Sequence, residues 1–238
     1  MVPVAVGAAL AIAVTVSIMK DPRHGEGAVG EVLVSGDDRT ITTLNSRAPC
    51  QQDPPQLVAS ESRDSVTLEL KEGDVDLRRQ CNRIDEQITT TLQSPLGTRR
   101  LVDAGHDWTI APFDQKRLAN PRYLPPGYTL ATRVQWSDSS QHDLLPSFIR
   151  TRSSGCAWTR FYHRASEKAS LSITQIAGKL TVSAAGTPES VHGWTGELTP
   201  DSNSTVTWTN GTYTFIVDTT DQDLHEAELL RIAKQLTP

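Results

Sequence analysis

Hydrophobic and polar positions alternate with a period of two over most of the chain, and the exceptions lie at its two ends. Val32-Leu33-Val34, Thr40 to Leu44, Ser65 to Leu70 and Gln87 to Leu92 are short, rich in β-branched residues and bounded by Gly, Asp, Asn or Pro, which predicts strands. In VTLEL, Val66, Leu68 and Leu70 alternate with Thr67 and Glu69, giving one buried and one wet face. Strands are predicted again at Tyr128 to Trp136, Ala157 to His163, Leu171 to Ile176, Lys179 to Ser183, Val191 to Leu198, Thr205 to Thr209 and Tyr213 to Val217. Asn210-Gly211, inside TVTWTNGTYTFIV, is the preferred pair for a type I′ hairpin turn. The C-terminal exception is a predicted helix. Thr220 can cap it, Asp221 and Asp223 suit its positive end, Leu229, Ile232, Ala233 and Leu236 recur on one face, and Pro238 ends it.

The N-terminal exception is Val2 to Met19, an apolar run broken only by Thr15 and Ser17. At 1.5 Å per residue its 18 residues span about 27 Å, just enough for a bilayer core. No small-residue cleavage site follows in Ser17-Ile18-Met19-Lys20-Asp21-Pro22, and no cysteine precedes Cys50, so neither a cleaved signal peptide nor an acyl-anchored cysteine fits. The expectation is an uncleaved signal anchor, a single span at residues 1–20. Lys20 and Arg23 follow the span, and the positive-inside rule alone would leave the body in the cytoplasm. That bias is small, Asp21 partly offsets it, and long domains translocate largely regardless of charge. The body is therefore expected outside, at the cell membrane and extracytoplasmic.

Residues 21–30, DPRHGEGAVG, read as a flexible linker. Four prolines from Pro112 to Pro126, with the basic pair Lys116-Arg117 and Arg122, interrupt the strands in PFDQKRLANPRYLPP. This places a Pro-rich linker at 114–126, between an Ig-like β-sandwich module at 31–113 and an α+β module at 127–238, an antiparallel sheet with a C-terminal packing helix. The fold class is thus mainly β, with an α+β C-terminal module.

Composition narrows the function classes. With 28 acidic against 23 basic side chains and no basic block longer than Arg78-Arg79 or Arg99-Arg100, there is no footprint for nucleic acid. A chain of 238 residues buries roughly 70 to 75% of its unfolded surface, so a sizeable core is expected. G-x-S-x-G and Walker patterns are absent, and His24, His106, His142, His163, His192 and His225 show no metal-ligand spacing. No catalytic residue, metal ligand or cofactor is assigned. Glu61 and Asp64 can be nominated as a carboxylate pair, but ES-x-D before a strand reads as a solvated turn. In an oxidising compartment Cys50 and Cys81 would close a loop of roughly 32 residues, worth about 3.5 kcal/mol. Two buried thiols are the alternative. Cys156 reads as a small buried residue with no local base to activate it.

Trp136, Trp158, Trp194 and Trp208 all fall in the second module with Tyr128, Tyr162 and Tyr213, and Tyr123 lies just before it. Trp136, Trp158, Trp194, Trp208, Tyr128 and Tyr213 are therefore the candidates for an apolar or glycan-binding groove, against the simpler reading that they fill the core under the helix.

The second module also resembles a family. Pro121 to Tyr128, Leu171-Ser172-Ile173-Thr174-Gln175, Val191 to Gly196, Val206-Thr207-Trp208 with Tyr213-Thr214-Phe215, and Leu229 to Leu236 follow the order of a domain of unknown function in bacterial membrane-anchored extracytoplasmic proteins. There the order is "LP-x-GY", "LxIxQ", "VxGxxG", "W…Y" and "LLxIAxxL". The resemblance covers about 115 residues and implies kinship with regulators of anti-sigma factors and with lipoprotein-sorting and RseB-like modules. It supplies no catalytic residues, and VHGWTGEL departs from it by placing Trp194 where the family is usually small or charged. The first half resembles N-terminal modules of actinobacterial proteins through Cys50, Ala59 to Ser62, Cys81, Pro95 to Arg99 and Val102-Asp103, and 17 Arg against 6 Lys fits a GC-rich genome. The expectation is a membrane-tethered binding or sensing module for a lipid, envelope polymer or protein partner. An envelope hydrolase or transferase and a structural subunit of a membrane complex are the alternatives.

Overall fold

A computed structural model describes residues 29–47, 53–71, 84–135, 156–164, 170–179, 186–199, 204–219, 221 and 223–237. Val2–Met19, Cys50, Cys81, Trp136 and Thr220 lie outside the described residues, so the predicted span, disulfide and helix cap do too. Among the described residues no helix is long and apolar enough to cross a membrane.

The first part of the chain contributes β1 (Val32–Val34), β2 (Thr40–Arg47), β3 (Gln56–Glu61), β4 (Ser65–Lys71), β5 (Ile84–Thr91), β6 (Arg100–Asp103), β7 (Thr109–Ile110) and β8 (Phe113–Asp114). There follow β9 (Asn120–Pro121), β10 (Tyr128–Ala131), β11 (Arg133–Gln135), β12 (Ala157–Arg164), β13 (Ser170–Ala177), β14 (Thr187–Val191), β15 (Trp194–Thr199), β16 (Thr205–Thr209), β17 (Tyr213–Thr219), α1 (Glu226–Lys234) and β18 (Leu236–Thr237). The protein is mainly β, as the alternation predicts.

A five-stranded sheet, β11-β5-β2-β1-β8, and a four-stranded sheet, β3-β4-β6-β7, enclose one core. Val32, Val34 and Ile41 of the first meet Leu57, Val66, Leu68, Leu70, Leu101 and Ile110 of the second, giving a β-sandwich. The inward residues of VTLEL are those the period of two selects. Most pairs are antiparallel, but β1 with β8 and β4 with β6 run parallel.

The third sheet orders β10-β12-β13-β17-β16-β15-β14, antiparallel throughout. Helix α1 lays Leu229, Ile232 and Ala233 on Leu171, Ile173, Val206, Trp208, Phe215 and Val217. The result is an α+β layer pair, built because a nine-residue amphipathic helix has one apolar stripe and must bury it.

The Pro-rich segment is fastened along this same sheet face. Gln175 in β13 accepts from the Ala119 N–H at 2.8 Å through Oε1 and donates Nε2 to the Arg117 carbonyl at 2.9 Å. Arg160 in β12 donates to the Ala119 carbonyl and, at 2.8 Å, to Asn120 Oδ1. The segment then pairs as β9 with β18, and the Arg122 N–H donates to the Gln235 carbonyl at 2.9 Å. Four backbone groups between Arg117 and Arg122 thus find partners without continuous strand, as buried amides require. Phe113, Leu118 and Trp158 pack with Leu33, Leu44, Cys156 and Tyr213, joining the sandwich to the larger sheet.

Four local expectations are corrected. Tyr128 to Trp136 is not one strand: β10 pairs with β12 of the larger sheet, while β11 pairs with β5 of the sandwich. Val191 to Leu198 is not one strand either, because His192 and Gly193 take φ of +53° and +78° and turn the chain between β14 and β15. The predicted hairpin β16–β17 is present, but Asn210 keeps negative φ. Gly211, at +85°, is the first central residue, as in a II′ turn, and Asn210 Oδ1 caps the turn by accepting from the Thr212 and Tyr213 N–H groups. The helix begins at Glu226, after an uncapped His225, and Leu236 belongs to β18. Asp221 instead accepts hydrogen bonds from Tyr128 and Arg164, which draws it out of the helical first turn.

Candidate functional site

Residues along β12, β13 and β17 alternate between two unlike faces of the larger sheet. One face is apolar and closed by α1 and the Pro-rich segment. The other carries Thr159, Ser172, Thr174, Thr214 and Asp218, all buried, with small apolar clusters at Ile176–Ile216 and at Ala131–Val134–Phe161. Thr159 and Thr174 share a hydrogen bond at 3.0 Å.

The aromatic candidates do not share one surface. Trp158 is 1% exposed and packs against Phe113 and Leu118. Trp208 stacks on Phe215 with centroids 5.0 Å apart. Tyr213 lies tilted against both Phe113 and Phe215. Tyr128 is buried and donates to Asp221 Oδ2 at 2.5 Å, and Arg164 Nη2 meets the same oxygen at 2.6 Å. Burial and the Asp221 bond hold the Tyr128 phenol well above its ordinary range. Tyr162 is in the core, and Tyr123 donates to Glu228 with the Arg231 guanidinium 3.8 Å from its ring centre. Trp194 alone of the described candidates faces water, at 47% exposed.

Local sequence explains that exposure. The His192-Gly193 turn has both central residues at positive φ and Val191 paired with Trp194, the I′ geometry that suits the twist of a hairpin. His192 Nε2 lies 3.1 Å from the Ala233 carbonyl, tying the turn to the end of α1. Two residues after Trp194, Gly196 sits where a Cβ would meet the Thr207 carbonyl at 2.9 Å and Trp208 Cβ at 3.1 Å. The core space beneath this strand therefore belongs to Trp208, and Trp194 extends past it. Its Cη2 lies 4.0 Å from the position a Cβ on Gly211 would take, so the indole reaches the neighbouring turn. Both turns lie at one end of the sheet. From Val191 to Gly196 and from Thr205 to Val217 there is no Asp, Glu, Lys or Arg.

Titratable groups elsewhere are mostly held in structural roles. Glu61 accepts from Arg99 at 2.8 Å and from the Gln93 N–H at 2.6 Å, which hold its carboxyl below the usual range and unsuited to general-acid work. Asp103 is fully buried and accepts from the Val29 and Gly105 N–H groups, with His106 Nδ1 3.6 Å away and the His106 ring stacked on Trp108. Burial raises the half-buried Cys156 thiol. Asp218 is different: it is 2% exposed, accepts from Thr205 at 2.9 Å on one oxygen, has no partner for the other, and burial pushes its carboxyl up to about 7. On the same polar face Glu197 Oε2 and His163 Nδ1 are also buried without a partner. Among the described residues no group of His, Cys, Asp and Glu is placed to hold a metal ion.

Sequence reasoning missed Asp218, which ends the apolar run YTFIV and reads there as a strand terminus. Comparison with protein-family models, with curated proteins and with solved structures finds no match to the chain.

Proposed function

We propose that the chain is a membrane-tethered, extracytoplasmic binding or sensing module for a lipid, envelope polymer or protein partner, with no catalysis of its own. Residues 1–20 are its anchor, an Ig-like sandwich stands nearer the membrane, and the larger sheet presents the binding surface. The observation that carries this reading is Trp194, a large aromatic held half-exposed by two built turns on a charge-free sheet end. An exposed aromatic is the kind of group that carries most of the free energy of a contact. The family resemblance of the second module, from Pro121 through Leu236, points the same way.

An envelope hydrolase or transferase has its best support in Asp218, a carboxyl protonated near neutral pH as a general acid needs to be. Its 2% exposure and its place on the central strand β17 keep it from a substrate arriving from solvent. The test is retention of the full-length chain on isolated cell-envelope material. Retention that falls about tenfold in Trp194→Ala supports the reading, and retention indifferent to Trp194 overturns it.

A further inference from the structure

Resting on that reading, we infer that the Trp194 end of the sheet is a polysaccharide site, with the indole as the platform for a sugar ring. The apolar surface available is one indole, roughly half open, or on the order of 100 Å². Around it His192, Thr195, Gly211 and Thr212 are exposed, and they offer hydroxyl, imidazole and backbone groups rather than further apolar surface. A bilayer would have to strip water from these groups while gaining only one aromatic ring. A sugar has the opposite balance: its ring face of C–H groups covers an indole, and its hydroxyls exchange water for side-chain hydrogen bonds.

The geometry suits an extended ligand. Gly211 lacks a side chain beside Trp194 Cη2, so the chain can pass from the indole across the second turn without meeting a Cβ. Asn210 spends its Oδ1 on the Thr212 and Tyr213 N–H groups, which fixes the amide at the end of that path. The turns are held from behind by His192 on the Ala233 carbonyl and by the Gly178 N–H donating to the Thr212 carbonyl at 2.8 Å. The platform is thus rigid before a ligand arrives, which lowers the ordering cost of binding.

The test titrates the full-length chain, held in amphipol, with soluble glycan strands released from bacterial cell wall. A parallel arm measures flotation with phosphatidylglycerol vesicles. Saturable glycan binding that weakens about tenfold or more in Trp194→Ala and survives in Trp194→Phe is the expected result. Glycan binding that is absent, or equal in Trp194→Ala, overturns the inference. If the vesicles then bind in a Trp194-dependent way, the ligand class is wrong and the binding-surface reading stands; if neither probe depends on Trp194, the inference falls, and the binding-surface reading falls with it only when retention on envelope material is also indifferent to Trp194. Unchanged thermal unfolding of Trp194→Ala separates a lost platform from a lost fold.

Discussion

Thr205 donates a 2.9 Å hydrogen bond to one oxygen of the Asp218 carboxyl, directly across the β16–β17 ladder, and leaves the other oxygen buried without a partner. A carboxylate so placed on a central strand favours its neutral form, because the charge has lost water and the Thr205 hydroxyl and Thr219 backbone N–H do not make up for it.

This relationship fixes a pH dependence. The Asp218 carboxyl has an ordinary value of 3.8 and titrates at about 7 in the fold. Between these values the folded chain holds a proton that the unfolded chain has released, so folding stability falls as pH rises. The loss is of the order of 4 kcal/mol between about pH 4 and pH 7. Chemical denaturation across that range should show the decline, and Asp218→Asn should remove most of this slope and exceed the parent in stability at pH 8.

Gln175 makes both of its hydrogen bonds to the backbone of the Pro-rich segment. Gln175→Leu leaves the buried Ala119 N–H without a partner and should cost about 2 kcal/mol. The loss should appear in denaturant titration, with amide exchange at Ala119 accelerated more than exchange in β4.

Gly193 and Gly196 should respond differently to alanine. At Gly193 there is open space and the penalty is the +78° backbone alone, about 1 kcal/mol. At Gly196 the added Cβ meets the Thr207 carbonyl and Trp208 Cβ, so the strands must part, at about 2 kcal/mol or more. Thermal unfolding of the two variants should rank them in that order.

The Cys156 thiol is half-buried beside Phe113, Leu118 and Trp158, and burial raises its pKa. Alkylation by iodoacetamide at pH 7 should therefore be slow in the native chain and accelerate on unfolding. Fast native labelling at Cys156, read by peptide mass, would contradict the placement.

What the sequence made legible follows from how local each signal is. Val66, Leu68 and Leu70 alternate cleanly because their strand has one face toward the sandwich core, and the Tyr213 side of the hairpin follows from a Gly-containing turn in alternating sequence. The His192-Gly193 turn escaped notice because non-glycine residues rarely adopt positive φ, and the alternation of Trp194, Gly196 and Leu198 with Thr195 and Glu197 directly after it masks a reversal. Leu236 fits the helical period, yet pairing with Pro121, 115 positions earlier, takes it into a strand. The tryptophans illustrate the harder limit. Composition could group Trp158, Trp194 and Trp208, but only the Gly196 contact with Trp208 decides which of them is inside.

The proposed reading puts the Trp194 surface on the outer side of the cytoplasmic membrane, so the side on which the body stands tests the central claim most directly. The measurement is protease digestion of the chain in intact cells and in lysed cells. Digestion of the body in intact cells, with residues 1–20 left in the membrane, is the predicted result. A body cut only after lysis would place it in the cytoplasm and contradict the account.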